Sequence, residues 1–415
     1  MHHHRLVVMV MVINLVILIL GLRVEGWFAP GRINLEALSL AVLGNFTAAV
    51  LIRQHYVINV LFRLATSLPT HFPLSIRRIA GKVYHFGGIH VGAALSATAW
   101  YAGFVYALFT SAVDGNKDYH VSAVVSVLGV AVLVVMVLMV VTALPSLRSA
   151  RHDRFEKMHR WGGWTALALV VTQSVAFTAE QGGSFWTTPN AVLLLVVVVS
   201  IALPWTRLRR VRVQIVHPSA HVALARFDYG VTPFAGSSTT VSRSPLSQWH
   251  SFANVPAPGQ TGFRLTVSRA GDWTGNLIDN PPTHLWVKGI PTAGVGNIDK
   301  LFTRVIWVAT GSGIGPCLPH LLAGDTPSRL VWSTRTPELT YGPELVAEIQ
   351  AAQPNAMIWD TVTQGKPNLL ELAYQAYRDF EAEAVICISN KATTWNIVEE
   401  LESRGIPAYG AIWDS

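Results

Sequence analysis

Residues 305–316 read VIWVATGSGIGP, an apolar run that passes directly into a glycine-rich loop. The apolar run is typical of a buried strand, and a helical pattern follows the loop. Gly311 and Gly313 would let backbone amides approach a pyrophosphate at the helix N-terminus. Pro316 suits the first helical turn, where no amide donor is needed. The stretch therefore predicts a strand, a loop and a helix that bind the phosphates of a dinucleotide.

Strand and helix patterns alternate around this stretch. Strand-like runs lie at 303–309, 329–334, 357–362, 384–389 and 406–412, and helical patterns lie at 316–323, 343–352, 368–379 and 392–404. Such alternation predicts a doubly wound parallel sheet with helices on both faces. We therefore predict an α/β NAD(P)-binding domain over residues 301–415.

Residues 206–300 have a different pattern, in which short runs alternate apolar and polar side chains. Examples are 211–216 (VRVQIV) and 263–267 (FRLTV), and clusters of Pro and Gly separate the runs. This pattern predicts a small antiparallel β-barrel. Within it, residues 249–253 read WHSFA. These aromatic side chains would line the flat apolar slot that an isoalloxazine ring needs, so we predict an FAD-binding domain.

The first half of the chain is much less polar. The whole sequence is 51% hydrophobic and 13% charged, whereas a soluble domain carries roughly 25% charged residues. Crossing a bilayer takes about 20 apolar residues in a helix. Six segments qualify or nearly so, at 6–22, 36–60, 86–110, 121–143, 161–179 and 189–205. We predict an all-α six-helix transmembrane domain over residues 1–205.

Basic residues predict the orientation of these helices. Lys and Arg are frequent in loops 61–85 and 144–160 and from residue 206 onward, and rare in loops 23–35, 111–120 and 180–188. Positive loops stay in the cytosol, so both termini are predicted to be cytosolic, in the plasma membrane or an endomembrane. Clusters such as Arg77, Arg78 and Lys82 also account for the net charge of +7, which favours a lipid bilayer over nucleic acid as the partner. The two cysteines, Cys317 and Cys387, have no metal-ligand spacing.

Two predicted helices open with histidines beside glycine pairs. Residues 82–92 (KVYHFGGIHVG) contain His85 and His90, and residues 155–164 (FEKMHRWGGW) contain His159. Ionisable side chains near a bilayer core are usually functional, and neutral imidazole is a good axial ligand for haem iron. The glycine pairs would leave room for a flat macrocycle. The alternative is that these histidines reach from the interface toward lipid head groups.

Together these features resemble the ferric reductase and NADPH oxidase superfamily, which has six helices, histidines on helices three and five, and then a flavin and nicotinamide module. The chain is most similar to a group of fungal transmembrane flavoproteins linked to redox signalling and development. The WHSFA run resembles the superfamily's Trp-His-Pro-Phe-Thr/Ser flavin motif, and residues 271–274 (GDWT) resemble its Gly-Asp-Trp-Thr segment. Residues 311–316 fit the Gly-x-Gly-x-x-Pro form of ferredoxin-NADP reductases.

The resemblance implies a set of site residues. The implied FAD residues are Trp249, His250, Ser251 and Phe252, with Trp413 stacking on the flavin. The implied NAD(P)H residues are Gly311, Gly313 and Pro316, with Arg335 placed for the 2′-phosphate of NADPH. A cationic fork there favours NADPH, but a solvated arginine fits as well, so NADH stays open.

The same resemblance bears on haem. Members of the superfamily hold two haems with two histidines on each of two helices. Here only the inner positions match, with His85, or His90 as the alternative, and His159. His85 and His90 lie about 140° apart around a helix, so they cannot both face one iron. Thr98, Ala99 and Thr172 occupy the outer positions. One inner haem b, or none, is therefore expected.

These inferences predict a membrane-bound flavin oxidoreductase that passes electrons from NAD(P)H through FAD to an unknown membrane-associated or cytosolic acceptor. An acceptor across the membrane is disfavoured, because the hydrocarbon core is about 30 Å thick and no outer haem is expected. Two alternatives remain. One is a haem-free reductase of a small organic substrate in a biosynthetic pathway, and the other is a redox sensor that binds nucleotide with little turnover.

Overall fold

A computed structural model describes residues 2–28, 33–113, 119–246 and 248–411. These residues form two compact units. The helical unit contains the chain up to Gln54 together with His85–Leu203, and the two-sheet unit contains His55–Tyr84 together with the chain from Pro204 onward. The predicted division at residue 205 therefore differs from the observed one by the segment 55–84.

The N-terminal half is helical, as its composition predicts. In chain order its helices are α1 (His2–Leu20), α2 (Leu35–Leu51), α3 (His55–Ala65), α4 (Leu74–Ala80), α5 (Gly87–Val113), α6 (Ala123–Ala143), α7 (Pro145–Ala150), α8 (His152–Glu180) and α9 (Pro189–Ala202). Within the described ranges, five helical segments are long and apolar enough to cross a membrane, or six if α2 and α3 count together as one span.

A polar contact joins three helices inside the apolar core of the helical unit. The side-chain amides of Asn14 and Asn45 exchange hydrogen bonds of 3.0 and 2.7 Å, and Trp100 Nε1 donates to Asn14 Oδ1 at 2.8 Å. Between apolar helices such bonds act as specific contacts that fix one helix against another. They tie α1, α2 and α5 together.

The first sheet of the two-sheet unit is antiparallel and has the strand order β4-β3-β6-β1-β2-β5. Its elements are β1 (Arg209–Ser219), β2 (Val222–Phe227), β3 (Ser237–Ser242), β4 (His250–Ala253), β5 (Phe263–Ser268), α10 (Asp272–Asp279) and β6 (His284–Ala293). Alternate residues of β5 are buried, as the period of two predicts. A bridge between Val255 and Arg264 joins the chain after β4 to β5 and closes the barrel. The predicted antiparallel domain is thereby confirmed.

The second sheet is parallel and has the strand order β11-β10-β7-β8-β9. Its elements are β7 (Val305–Thr310), α11 (Ile314–Ala323), β8 (Ser328–Thr334), α12 (Pro337–Tyr341), α13 (Pro343–Ala352), β9 (Met357–Asp360), α14 (Leu369–Asp379), β10 (Ala384–Ile388), α15 (Lys391–Ser403) and β11 (Ala408–Gly410). The central strand β7 and its neighbour β10 are buried almost throughout, as expected for a sheet covered on both faces. This confirms the predicted doubly wound sheet.

The predicted second span, 36–60, is wrong as a single helix. Helix α2 ends at Leu51, just before the polar residues Arg53 and Gln54, and α3 belongs to the two-sheet unit. There Asn59 pairs with the backbone of β6, donating to the carbonyl of Pro291 at 3.0 Å and accepting from the amide of Ala293 at 2.8 Å. Polar residues interrupt the apolar run, and an amphipathic helix packs on the barrel instead.

The segment from Leu74 to Tyr84, which we call the strap, packs on the parallel sheet. Arg77 is bound by both carboxylate oxygens of Glu383, at 2.7 and 2.9 Å, and its side chain is 5% exposed. Lys82 pairs with Glu402 and donates to the carbonyl of Ala408. Two cations that the sequence assigns to lipid head groups are therefore buried in ion pairs.

Candidate functional site

The glycine loop lies at the centre of the parallel sheet. It leaves the carboxyl end of β7, and the order of the strands reverses between β7 and β10. Ligands bind at such switch points in doubly wound sheets. Thr310 Oγ1 lies 2.5 Å from Ser389 Oγ, and Trp332 Nε1 donates to the carbonyl of Gly311 at 2.9 Å. Gly311, Gly313 and Pro316 are thus brought together at the carboxyl ends of three adjacent strands.

Each of the three glycines in this loop suits its position for a different physical reason. Gly311 has φ +49°, a conformation that favours glycine. A Cβ on Gly313 would lie 2.0 Å from the carbonyl oxygen of Ile388, and one on Gly315 would lie 3.3 Å from Thr266 on β5. Gly313 therefore permits close packing on β10, and Gly315 permits close packing on the barrel. Only Gly311 has its space toward the open end of the sheet.

The loop after β8 holds Arg335 at the edge of this site. Arg335 is exposed, and the next residue, Thr336, has φ +34°. The carboxylate of Asp360 accepts backbone N–H groups from Val362 and Thr336, each at 2.9 Å, and these bonds lower the pKa of Asp360. Asp360 thus holds the loop that presents Arg335. This role of Asp360 was not predicted from the sequence, in which Asp360 lies within the predicted strand 357–362, whereas the observed strand β9 ends at Asp360.

The residues of the flavin motif lie in two separate places. His250 and Phe252 both stack on Trp273, with ring centroids 4.3 and 5.9 Å apart. Trp249 instead lies beside Trp205, and the ammonium of Lys288 sits 4.3 and 4.4 Å from the two indole rings. Trp249 precedes β4 and lies beside Trp205 and Lys288, whereas His250 lies on Trp273, so Trp249 and His250 do not line one slot.

We call His250, Phe252 and Trp273 the aromatic face. All three are partly exposed, and Trp273 stands in the first turn of α10. A Cβ on Gly271, the N-cap of α10, would have nothing within 4 Å. The start of α10 does not favour a phosphate, because Asp272 lies in its first turn and Thr274 Oγ1 accepts from the N–H groups of Ala270 and Gly271. The aromatic face offers a stacking surface for a flat ring.

Two other residues that the sequence singles out lie elsewhere. Ser251 is exposed on the side of β4 away from Phe252. Cys387 is fully buried in β10, and burial raises the pKa of its thiol to about 12. A thiol of this kind is not a nucleophile at neutral pH. Trp413 lies outside the described residues.

The histidines predicted to bind haem are arranged differently from the prediction. His90 faces His159, with ring centroids 6.1 Å apart, whereas the ring of His85 lies 5.6 Å from that of His2. His90, the alternative ligand, is therefore the histidine that the structure brings beside His159. Across the described ranges, no three His, Cys, Asp or Glu side chains form a metal-binding group.

The space beside the glycine pairs is filled by protein. A Cβ on Gly88 would lie 2.4 Å from the carbonyl oxygen of His3, because α1 packs against α5 there. A Cβ on Gly162 would lie 3.0 Å from Met139 of α6. The glycines therefore allow close helix packing, as small residues do in membrane proteins. The space beside Gly88 and Gly162 is therefore not available to a macrocycle.

The comparisons with known proteins point to reductases. Residues 295–415 match the family model described as "Adenylate-forming reductase 03009, C-terminal domain". Adenylate-forming reductase 03009 of Coprinopsis cinerea is 41% identical over 381 residues, which are 90% of this chain and 37% of that protein. Adenylate-forming reductase 06235 of the same fungus is 40% identical, with the same two coverages. The chain thus spans about 37% of the length of these relatives.

A solved structure of a ferredoxin-NADP+ reductase from Neisseria gonorrhoeae, with bound FAD and NADP, covers 49% of this chain and 98% of its own. The identity is 13% and the TM-score is 0.39. The resemblance to ferric reductases and fungal transmembrane flavoproteins gains no support from the two fungal relatives, whose names are those of adenylate-forming reductases.

Proposed function

We propose that this chain is a haem-free, NAD(P)H-dependent flavin reductase that is anchored in a membrane and reduces a small organic substrate. The observation that carries the proposal is the contact between the glycine loop and the barrel. Gly315 packs directly on Thr266 of β5, and α11, which begins at the loop, also contacts β4. The loop that would hold the dinucleotide and the strand that carries the aromatic face therefore belong to one packed unit. Such proximity is what hydride transfer between two bound rings needs.

Each part of the site has a role in this proposal. The backbone of the glycine loop would hold the phosphates of the dinucleotide, and Arg335 would pair with the 2′-phosphate of NADPH. Phe252 and Trp273 would pack on the flavin ring. Bound FAD would accept a hydride from the nicotinamide and pass the electrons to the substrate.

The names of the fungal relatives support a reductase with an organic substrate. They couple adenylate formation to reduction, and this chain corresponds to 37% of their length. We propose that it corresponds to their reductive part, because the described chain contains the sheet and the glycine loop of a dinucleotide site. An adenylate is an activated carboxylic acid, so a carboxylic acid derivative is the first substrate class to test.

We also propose that the helical unit lies in a bilayer with both chain termini in the cytosol. Large apolar side chains are exposed along its helices, for example Val127 on α6 at 67% and Val192 on α9 at 61%. Extensive exposed apolar surface of this kind marks a contact with membrane or protein. Protease accessibility in sealed vesicles tests the orientation, and a C-terminus protected inside the vesicle would refute it.

An absorbance spectrum tests the proposed cofactors. The full-length protein, purified in detergent and loaded with FAD, should show flavin absorbance that NADPH bleaches without oxygen, and no Soret band. Phe252→Ala should weaken FAD binding roughly two- to tenfold, because the ring loses a stacking partner worth about 0.5–1.5 kcal/mol. Trp249→Ala, before the strand and away from the aromatic face, should leave FAD binding nearly unchanged.

Each unexpected result of this experiment would lead to a different conclusion. Protein that retains no flavin would refute the proposal. Flavin that is bound but never bleached would favour the redox sensor. A Soret band from one haem per chain would favour electron transfer through the membrane instead of a haem-free reductase.

Replacing Arg335 with alanine should change the choice of dinucleotide. We expect the KM for NADPH to rise about tenfold, the equivalent of roughly 1.4 kcal/mol, because a charged hydrogen bond to phosphate is lost. The KM for NADH should stay the same. Steady-state kinetics with both dinucleotides measures the ratio. Arg329→Ala, at the opposite end of β8, is the control and should change neither value; equal effects of Arg335→Ala on both dinucleotides would exclude the assigned role.

A further inference from the structure

A groove on the two-sheet unit lies next to the candidate site, with Tyr341 between the groove and Gly311. Strands β1, β2 and β5 form one side, helices α12 and α13 form the other, and the cavity has a volume of about 580 Å³. This is within the usual range for pockets that bind small organic molecules. Neither the glycine loop nor the aromatic face lines it.

The walls of the groove are apolar and partly open. Val216 on β1 and Leu339 on α12 both line it, although they are 64% and 75% exposed. Deeper in, Leu224 and the buried Tyr341 continue the apolar surface. Single exposed apolar side chains are common on proteins, but several that line one concavity indicate a binding surface.

Local backbone structure fixes one end of the groove. Ser219 Oγ donates to the carbonyl of Thr340 at 2.8 Å and fixes α12 to the end of β1. Gly342, between α12 and α13, has φ +89°, and a Cβ there would lie 3.2 Å from Glu344 Oε2 and 3.5 Å from Pro218. Glycine at this position therefore lets the turn between α12 and α13 lie close to β1.

The charges in the groove favour a cation. Arg264 is the basic residue that lines it, and its Nη2 lies 2.8 Å from both carboxylate oxygens of Glu348. Glu338 and Glu344 also line the groove and are exposed. Among the residues that the structure describes, no cation forms an ion pair with either of them. The charge of Arg264 is thus balanced by Glu348, whereas the carboxylates of Glu338 and Glu344 have no cationic partner among the described residues.

We propose that this groove is a second ligand site, which binds a small organic ammonium ion with an apolar body. The apolar part would lie between Val216 and Leu339, and the ammonium would pair with Glu338 and Glu344. A carboxylate of the same shape would meet two like charges and would be rejected. The site is independent of the proposed reductase activity.

Calorimetric titration of the full-length protein in detergent tests this site. The probes are 2-phenylethylammonium and 3-phenylpropionate, which share an aromatic body and differ in the sign of the charge. We expect one ammonium ion to bind per chain and the carboxylate not to bind. The double variant Glu338→Gln with Glu344→Gln should weaken ammonium binding at least tenfold. Asp325→Asn, an exposed acid outside the groove, is the matched control and should bind like the wild type.

Several results would overturn the proposal. Equal binding of the two probes, or an unchanged affinity in the double variant, would show that the carboxylates do not recognise the ammonium. Competition by NADP+ would place the ammonium ion in the dinucleotide site instead. Binding of a lysine-containing peptide but not of the free amine would make the groove a peptide-docking surface. Both replaced side chains are exposed, so the double variant should retain the melting temperature of the wild type.

Discussion

Replacing Gly313 with alanine should destabilise the two-sheet unit by about 3 kcal/mol or more and abolish dinucleotide binding. The new Cβ would lie 2.0 Å from the carbonyl oxygen of Ile388. That oxygen belongs to the backbone of β10, which pairs with β7 through Ile388 and Ala309. A flexible side chain would move aside at small cost, but this carbonyl can move only if the central strand pair shifts.

Gly315→Ala is the matched control in the same loop. Its Cβ would lie 3.3 Å from the Cβ of Thr266, so a shift of a few tenths of an ångström relieves the contact. Thermal unfolding of the full-length protein in detergent should show a fall of about 6–12 °C for Gly313→Ala and a much smaller one for Gly315→Ala. NADP+ binding should be lost in the first variant and kept in the second. If Gly313→Ala unfolds at the wild-type temperature, the packing explanation is wrong.

The same glycines show what a sequence motif can and cannot predict. The apolar run and the glycine spacing predict the strand, the loop and the helix, because both features are local. The reason for Gly313 and Gly315 is not local, since their neighbours Ile388 and Thr266 lie on β10 and on the barrel. Phosphate binding alone therefore does not explain all of these glycines, although the sequence pattern suggests that it does.

The flavin motif shows how far the period of a strand can be used. Alternation places Ser251 on the opposite face from His250 and Phe252, but Trp249 lies before β4, so its position does not follow from this period. The partners could not be predicted in this way. Trp273 comes from α10, and Lys288 comes from the distant strand β6.

Basic residues near apolar helices gave the least reliable sequence signal. Arg77 and Lys82 fit the charge bias of a cytosolic loop, but their partners Glu383 and Glu402 lie 306 and 320 residues further along the chain. No local pattern reveals pairs over such distances. The prediction that the glycine pairs beside His85 and His159 leave room for a macrocycle is also wrong, because side chains and backbone from α1 and α6 fill that space.

Removing the strap's arginine should destabilise the two-sheet unit by about 3 kcal/mol, since breaking a buried ion pair leaves a charge without its partner. Arg77 donates to both oxygens of Glu383 and to the carbonyl of Leu301 at 2.7 Å. The pKa of Glu383 is lowered from its ordinary value to about 2, chiefly by the hydrogen bond from Arg77. Glu383 therefore contributes stability above its unfolded pKa near 4.5, and this contribution is lost as the pH falls toward 2.

Arg77→Met tests this pair by thermal unfolding at a series of pH values. The variant should lose stability at pH 7 and should also lose most of the pH dependence between 4.5 and 2, because Glu383 then titrates nearly as it does in the unfolded chain. Adding Glu383→Gln should recover part of the loss, since no unpaired charge remains. The control is Arg304→Met. Arg304 pairs with the exposed Glu381, and an exposed pair of this kind is worth less than about 1 kcal/mol. If Arg77→Met and Arg304→Met cost the same, the ion pair between Arg77 and Glu383 does not stabilise the parallel sheet.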